Sequence, residues 1–283
     1  MINENDIYNE IQNKSDELDY TFRPKYLKEF LGQEKIKDNL SVYIKAAKQR
    51  DEAIDHIIFS GPPGLGKTTL ASIISNEMGA GFYQASAPAL EKKGDLAALL
   101  TKLQEKDVFF IDEMHRLRPE LEEILYSAME DFKVNIIIGQ GISANSITLQ
   151  LPKFTLIGAT TRMGLLTRPL ISRFGIDIKL DLYETEDIMK VVFRTADLME
   201  MNINEKACRE ISRRSRGTPR IANKLMRRIR DFAQVHGDGG IDKNITDFTF
   251  KKLDIDKDGL TFYDRKFLHV IIENHNGGPV GID

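Results

Sequence analysis

Residues Gly61 to Leu70 read GPPGLGKTTL, and Gly61, Gly66, Lys67 and Thr68 fill every fixed position of G-x-x-x-x-G-K-[ST]. Glycines let such a loop bend so that successive backbone N–H groups converge on a phosphate. Lys67 can reach the β- and γ-phosphates, and the Thr68 hydroxyl can ligate Mg²⁺. An apolar run, Ile57-Ile58-Phe59, leads in, and Leu70, Ala71, Ile73 and Ile74 follow at helical spacing. The helix that opens here adds its positive dipole end and free N–H groups to the same anion. A chance Gly/Pro turn is the bland alternative, and the strand–loop–helix context argues against it. The stretch predicts a nucleoside triphosphate site.

Asp112 and Glu113 follow the apolar run Val108-Phe109-Phe110-Ile111, so both carboxylates emerge at a strand's C-terminal end. Hydrolysis of ATP needs one carboxylate to hold Mg²⁺ and a further group to orient the attacking water. Asp112 suits the first role and Glu113 the second. His115 completes Asp-Glu-Met-His, the DExH helicase tetrad, but the second motor domain of that class is missing, and a structural role at the strand end suits the histidine better. Thr160-Thr161 close another strand at the same edge, where a hydroxyl can contact the γ-phosphate or the water. Arg173 precedes a further strand; an exposed arginine there is either a solvated surface residue or a donor to transition-state charge on a neighbouring subunit's nucleotide. Arg220 opens a later helix, with the same pair of readings toward its own nucleotide.

These groups need a scaffold, and the sequence alternates strands and helices from residue 55 onward. Strands are predicted at 55–60, 81–86, 107–111, 154–160 and 176–180, with helices at 67–78, 93–105 and 119–131. A preceding amphipathic helix spans 34–49, with Ile36, Leu40, Tyr43, Ile44 and Ala47 on one stripe. Pro119 is favoured at a first helical position. The pattern predicts a mostly parallel α/β sheet covered by helices. After about residue 183 strand signals stop, and helices at 185–200, 204–215 and 218–235 predict a small all-helical domain over 184–254. Residues 255–261, polar and containing Gly259, suggest a linker, and 262–275 one more amphipathic helix.

Residues 134–151 interrupt the alternation with two β-rich runs around Gly139-Gln140-Gly141 and Ser143-Ala144-Asn145, a hairpin. Ile142 and Ile147 near its tip have no obvious core to enter. The hairpin either folds back on its own domain or offers an apolar tip to a partner.

Composition sets outer bounds. The 283 residues allow one large domain or two smaller ones, and the net charge of -3 argues against binding nucleic acid through bulk charge. The single cysteine, Cys208, excludes an intrachain disulfide or cysteine metal cluster, reads as a small buried hydrophobe, and fits a reducing cytoplasm. No apolar run approaches a membrane span. Residues 1–20, with six acids and one base, read as a solvated leader of low order. Two motifs are decoys. Asp254, Asp256, Asp258 and Gly259 match half an EF-hand loop, but its twelfth position is Arg265 instead of glutamate. The basic run with eight Lys and Arg residues from Arg213 to Arg230 resembles a DNA-reading helix-turn-helix; its apolar face (Ile221, Leu225, Ile229, Phe232) favours a lid helix with a solvated basic side.

Taken together, FRPKYLKEFLGQ (22–33), HIIFSGPPGLGKTTLA (56–71), KKGDLAALL (92–100), FFIDEMHRL (109–117), LYSAMEDF (125–132), FTLIGATTRMGLLT (154–167), SRFGI (172–176) and RRSRGTPRIANKL (213–225) resemble the AAA+ ATPases. The likeness is nearest to the RuvB family of Holliday junction branch migration motors. It implies a P-loop AAA+ core over 21–183, a helical lid over 184–254 and a partial winged-helix segment over 255–283, where the family's head is cut short. It implies ATP/ADP and Mg²⁺ as cofactors, held by Gly61, Gly64, Leu65, Gly66, Lys67, Thr68, Thr69 and Asp112, with Glu113 for water activation. Thr161 falls on sensor 1, Arg173 on the arginine finger and Arg220 on sensor 2. Phe22, Arg23 and Tyr183 fall where the family grips the adenine end, and Glu130, Asp131 and Phe132 on a further segment near nucleotide. Hairpin 134–151 falls where the family docks RuvA, with Ile142 in place of a usual proline. Implied partners are RuvA, duplex DNA and Holliday junctions, further copies of the chain in a hexameric ring and, as a further candidate, the RuvC resolvase. A clamp loader or replication initiator shares the core but lacks the hairpin and the SRFGI phrase; a nucleotide-dependent binding protein without motor activity is the other alternative.

Overall fold

The computed structural model describes residues 23–138 and 145–281. Leader 1–20, Phe22 and Ile142 lie outside them. The chain forms two compact units, the first ending at Asp181 and the second beginning at Leu182.

In the first unit, helix α1 (Glu34–Arg50) precedes strand β1 (Ile57–Ser60), and helix α2 (Lys67–Met78) leads to β2 (Phe82–Ser86). Helix α3 (Lys93–Leu100) is followed by β3 (Val108–Asp112), and α4 (Pro119–Glu130) by the hairpin strands β4 (Lys133–Ile138) and β5 (Asn145–Gln150). Strand β6 (Thr155–Thr160), the short helix α5 (Arg168–Ile171) and β7 (Ile176–Lys179) complete the unit. The main sheet runs β2-β3-β6-β1-β7, all parallel. Burial explains the order. The inner strands β1 and β6 are buried at every position, as continuous apolar runs must be when helices cover both faces. At the edge, β7 alternates buried Ile176 and Ile178 with exposed Asp177 and Lys179.

Helix α3 stops at Leu100, short of the expected residue 105. Asp107 accounts for the difference. Its carboxylate accepts the N–H groups of Gln104 (2.8 Å) and Gly81 (2.7 Å), so the local turn competes with further helix. The hairpin forms its own two-stranded sheet, pairing Val134 with Leu149 and Ile136 with Ile147. Val134 at its base is buried in the core, whereas Ile147 is 44% exposed, so base and outer part differ in environment.

His56, immediately before β1, is buried, and its Nδ1 accepts the Leu156 N–H at 2.8 Å. Its Nε2 donates to the Met129 carbonyl at 3.2 Å. These two bonds demand a neutral ring. Burial holds its pKa below the ordinary 6.5, against smaller opposing effects of the Met129 bond and Asp55. The unfolded chain therefore binds this proton more readily, so the stability His56 provides is present above pH 6.5 and declines as pH falls below it. Thermal melts at pH 7.5 and 5.5 should show a smaller drop in midpoint for His56→Gln than for the parent chain; an equal drop would contradict this.

The second unit packs α6 (Thr185–Leu198), α7 (Glu205–Arg214), α8 (Pro219–His236) and α9 (Lys243–Lys252) around Ile188, Val192, Cys208, Ile211, Met226, Ile229 and Phe250. Helix α9 has no counterpart in the sequence reading, for a physical reason. Its buried face is made of Thr246, Thr249 and Phe250. The threonine hydroxyls donate to the carbonyls of Asp242 and Ile245, both at 2.7 Å, so polar residues occupy inner positions without orphaned groups. Burial pushes the Cys208 thiol up to about 11, in keeping with an inert core residue.

Residues 255–261, expected as a linker, form a tied turn. Asp256 accepts the N–H groups of Asp258 and Leu260 at 2.9 Å each. Arg265, from α10 (Phe262–His275), lies 2.7 Å from Asp254 and 3.7 Å from Asp256, so a guanidinium pairs with the first two aspartates of the EF-hand-like run. Among the described residues, α10 buries no side chain. The basic run is also more engaged than a solvated face. Arg214 lies on the Phe250 ring at 4.2 Å and near Glu210 (3.2 Å) and Asp247 (3.6 Å), and Arg216 lies 3.5 Å from Asp264. Arg228 and Arg230 share Asp231.

Candidate nucleotide site

The parallel register puts Ser60 of β1 beside Thr160 of β6, while Asp112 ends β3 next to it. Everything that follows these strands therefore gathers at one edge of the sheet, the C-terminal edge where open α/β sheets bind ligands. The loop from Gly61 to Gly66 follows β1. Gly61 has φ +135°, and a Cβ there would collide with the Leu180 carbonyl oxygen. Gly66 has φ +99°, and its Cβ would come within 3.0 Å of the Phe30 ring. Leu65 is fully buried and anchors the loop between them.

Lys67 is 7% exposed, and its ammonium donates to the carbonyls of Gly61 (2.8 Å) and Pro62 (2.7 Å). The cation thus sits in the concavity of its own loop, where phosphate oxygens would compete with those carbonyls. Thr68 and Thr69 fall in the first turn of α2, both partly exposed. Asp112 accepts the Glu113 N–H at 2.8 Å. Glu113 has φ +51°, a left-handed conformation that turns the chain sharply at the strand end. Its carboxylate meets Arg116 at 2.9 Å. His115 Nδ1 lies 3.1 Å from the Thr160 hydroxyl, which also accepts the Arg162 N–H at 3.0 Å. The histidine is thereby tied to the strand end, and burial lowers its pKa. Thr161, one residue beyond, is exposed.

A second group of predicted residues lies at the other end of the strands. The Phe132 ring packs 6.2 Å from His56 and 6.0 Å from Phe154, residues that precede β1 and β6. Glu130 Oε2 is 3.1 Å from Arg173 Nη2, and Arg173 comes three residues before β7 begins. The arginine was expected to be exposed, but its side chain is only 20% so. It lies over the Tyr126 ring at 4.4 Å and donates to the Pro169 carbonyl at 2.6 Å. Asp131 is exposed beside Glu130. A four-residue strand spans about 13 Å, so Arg173 and the phosphate loop of the same chain sit at opposite edges.

Tyr126, Glu122 and Thr167 were not foreseen. Glu122 is buried, with Tyr126 Oη donating to it at 2.9 Å and Thr167 Oγ1 at 2.6 Å. The one available signal was the spacing of Glu122, Tyr126 and Glu130, four apart along α4. In the second unit, Tyr183 is buried, its N–H donates to the Gly217 carbonyl at 2.9 Å, and burial raises its phenol's pKa. Arg220 is the second residue of α8. Arg23 is partly exposed at the start of the described chain.

Comparison with known proteins gives matches along nearly the whole chain. Residues 22–180 match the family described as Holliday junction DNA helicase RuvB P-loop domain, and residues 183–256 match the RuvB AAA lid domain. The Holliday junction branch migration complex subunit RuvB of Streptococcus agalactiae serotype Ia is 54% identical over 265 residues, covering 94% of this chain and 80% of the relative. That of Rickettsia africae is 57% identical over 261 residues, covering 92% and 76%. The solved Thermotoga maritima RuvB Holliday junction branch migration motor superposes with a TM-score of 0.84 at 48% identity, covering 92% of this chain and 83% of that one. No helix among the described residues is long and apolar enough to cross a membrane.

Proposed function

This chain belongs to the RuvB family of Holliday junction branch migration motors, and we propose that the sheet edge carrying Lys67, Thr68, Asp112 and Glu113 binds and hydrolyses the ATP that drives it. One observation carries the assignment: a complete phosphate loop lies beside the acidic end of β3 at a single edge of a parallel sheet. The backbone N–H groups of 61–66 and the start of α2 receive the phosphates. Lys67 transfers its donors from Gly61 and Pro62 to phosphate oxygens. Gly64, Leu65 and Thr69 complete the cradle.

The Thr68 hydroxyl and the Asp112 carboxylate are hard oxygen donors, and the described residues include no group of three or more His, Cys, Asp or Glu able to hold a metal. That set fits Mg²⁺, which is held by one or two protein oxygens with phosphates and water supplying the rest. When bound, Mg²⁺ neutralises charge on the β- and γ-oxygens. Glu113 leaves Arg116 and orients the attacking water. Thr161 reports the γ-phosphate as sensor 1 and Arg220 as sensor 2, while Phe22, Arg23 and Tyr183 hold the adenine end. Arg173, with Glu130, Asp131 and Phe132 at the opposite sheet edge, serves the nucleotide of the next subunit in a hexameric ring.

The partners follow from the same family premise: RuvA, docked on hairpin 134–151 through Ile147 and Ile142, together with duplex DNA, Holliday junctions and the RuvC resolvase, in the cytoplasm. A clamp loader or initiator would hydrolyse ATP yet fail at this reaction. Purified chain with ATP, Mg²⁺ and RuvA should move a four-way junction, and Glu113→Gln should stop it. ATP hydrolysis without branch migration at any RuvA concentration would overturn the motor assignment.

A further inference from the structure

We propose that Tyr126 is a positioning residue for Arg173, a ring platform that keeps the guanidinium oriented while its anionic partner changes. This rests on the reading of Arg173 as a donor to a neighbouring subunit's phosphate. Among the described residues, the Arg173 guanidinium meets the Tyr126 face at 4.4 Å, Glu130 at 3.1 Å and the Pro169 carbonyl at 2.6 Å. Its Nε is buried and has no acceptor among the described residues. Glu130 is 57% exposed, so its pairing is weak and readily exchanged. An arginine that moves onto a phosphate must give up that carboxylate. It need not give up the ring, because an aromatic face attracts the charge of the cation and leaves the in-plane donors open.

The platform is itself fixed. Glu122, Tyr126 and Glu130 share one face of α4 at successive intervals of four. Buried Glu122 accepts from the Tyr126 hydroxyl at 2.9 Å and from Thr167 at 2.6 Å, and the two hydroxyls lie 3.0 Å apart. Charge-assisted O–H bonds of this kind hold geometry well. Thr167 immediately precedes α5, the helix that leads to Arg173, so the network ties the ring to the segment bearing the arginine. Tyr126 reaches the neighbouring nucleotide only through Arg173.

The test compares Tyr126→Leu, Tyr126→Phe, Arg173→Ala and the Tyr126→Leu/Arg173→Ala double variant in the assembled full chain, by steady-state and single-turnover hydrolysis. Losing a cation–π contact predicts a kcat about 3- to 30-fold lower for Tyr126→Leu, with KM for ATP unchanged. Tyr126→Phe, which keeps the face but gives up the hydroxyl's bonds to Glu122 and Thr167, should fall between the parent and Tyr126→Leu. The double variant should be no slower than Arg173→Ala alone. A parental kcat in Tyr126→Leu, or multiplicative losses in the double variant, would overturn the platform while leaving Arg173 its role. A parental kcat in Arg173→Ala would overturn both. Should Tyr126→Leu fail to fold, Tyr126→Met supplies similar volume without a ring and yields the same comparison.

Discussion

Replacing Lys67 with alanine is expected to abolish ATP hydrolysis and to weaken nucleotide binding by at least about 100-fold, the loss of two charge-assisted hydrogen bonds to phosphate at 1.5–3 kcal/mol each. Its ammonium is the cation in the loop's concavity, 2.8 Å and 2.7 Å from two loop carbonyls. Asp112→Asn and Glu113→Gln should behave differently. Each keeps the loop and the lysine, so each should retain ATP and lose turnover, since metal coordination and water activation are what they alter. Equilibrium titration with a fluorescent ATP analogue separates the cases. Equal losses of affinity in all three variants would contradict the division of roles between cradle and carboxylates. Thermal melts of each variant control for folding, because Lys67 is buried and its removal leaves space in the loop.

The contrast between those residues and Arg173 shows where sequence reasoning reaches. The phosphate loop is local: its glycines, lysine and threonine lie within eight positions, and the flanking strand and helix carry plain apolar patterns. Asp112 and Glu113 are legible for the same reason, as the charged end of a continuous apolar run. Arg173 is legible as a chemical type, but its surroundings are not. Tyr126 lies 47 positions earlier and Glu130 lies 43 earlier, and only the packing of α4 against the segment before β7 brings them together. Helix α9 was illegible for a different reason. Its inner face uses threonines whose hydroxyls bond back to the helix, so no apolar stripe betrays it. The EF-hand decoy was rejected on the identity of Arg265, and the structure adds that this same arginine pairs with the loop's aspartates.

Alanine at Arg173 is expected to slow hydrolysis by about 10³–10⁵, the range for arginines that stabilise phosphoryl-transfer charge in trans. The geometry makes the in-trans assignment testable. Arg173 and the phosphate loop occupy opposite edges of one sheet, separated by the length of its strands. A chain lacking Arg173 therefore keeps an intact cradle, and a chain lacking Lys67 keeps an intact arginine. Neither should hydrolyse ATP by itself. Mixed in one assembly, some interfaces pair the cradle of the first with the arginine of the second, so Arg173→Ala and Lys67→Ala chains together should recover a measurable fraction of activity. The recovery should peak near equal proportions, where such interfaces are most numerous. Adding Glu113→Gln to the Arg173→Ala chain should abolish it, because the complemented cradle then lacks its water-orienting carboxylate. Adding Glu113→Gln to the Lys67→Ala chain should change nothing, since that cradle is already empty of function. No recovery in mixtures shown by crosslinking to co-assemble would overturn the in-trans role of Arg173.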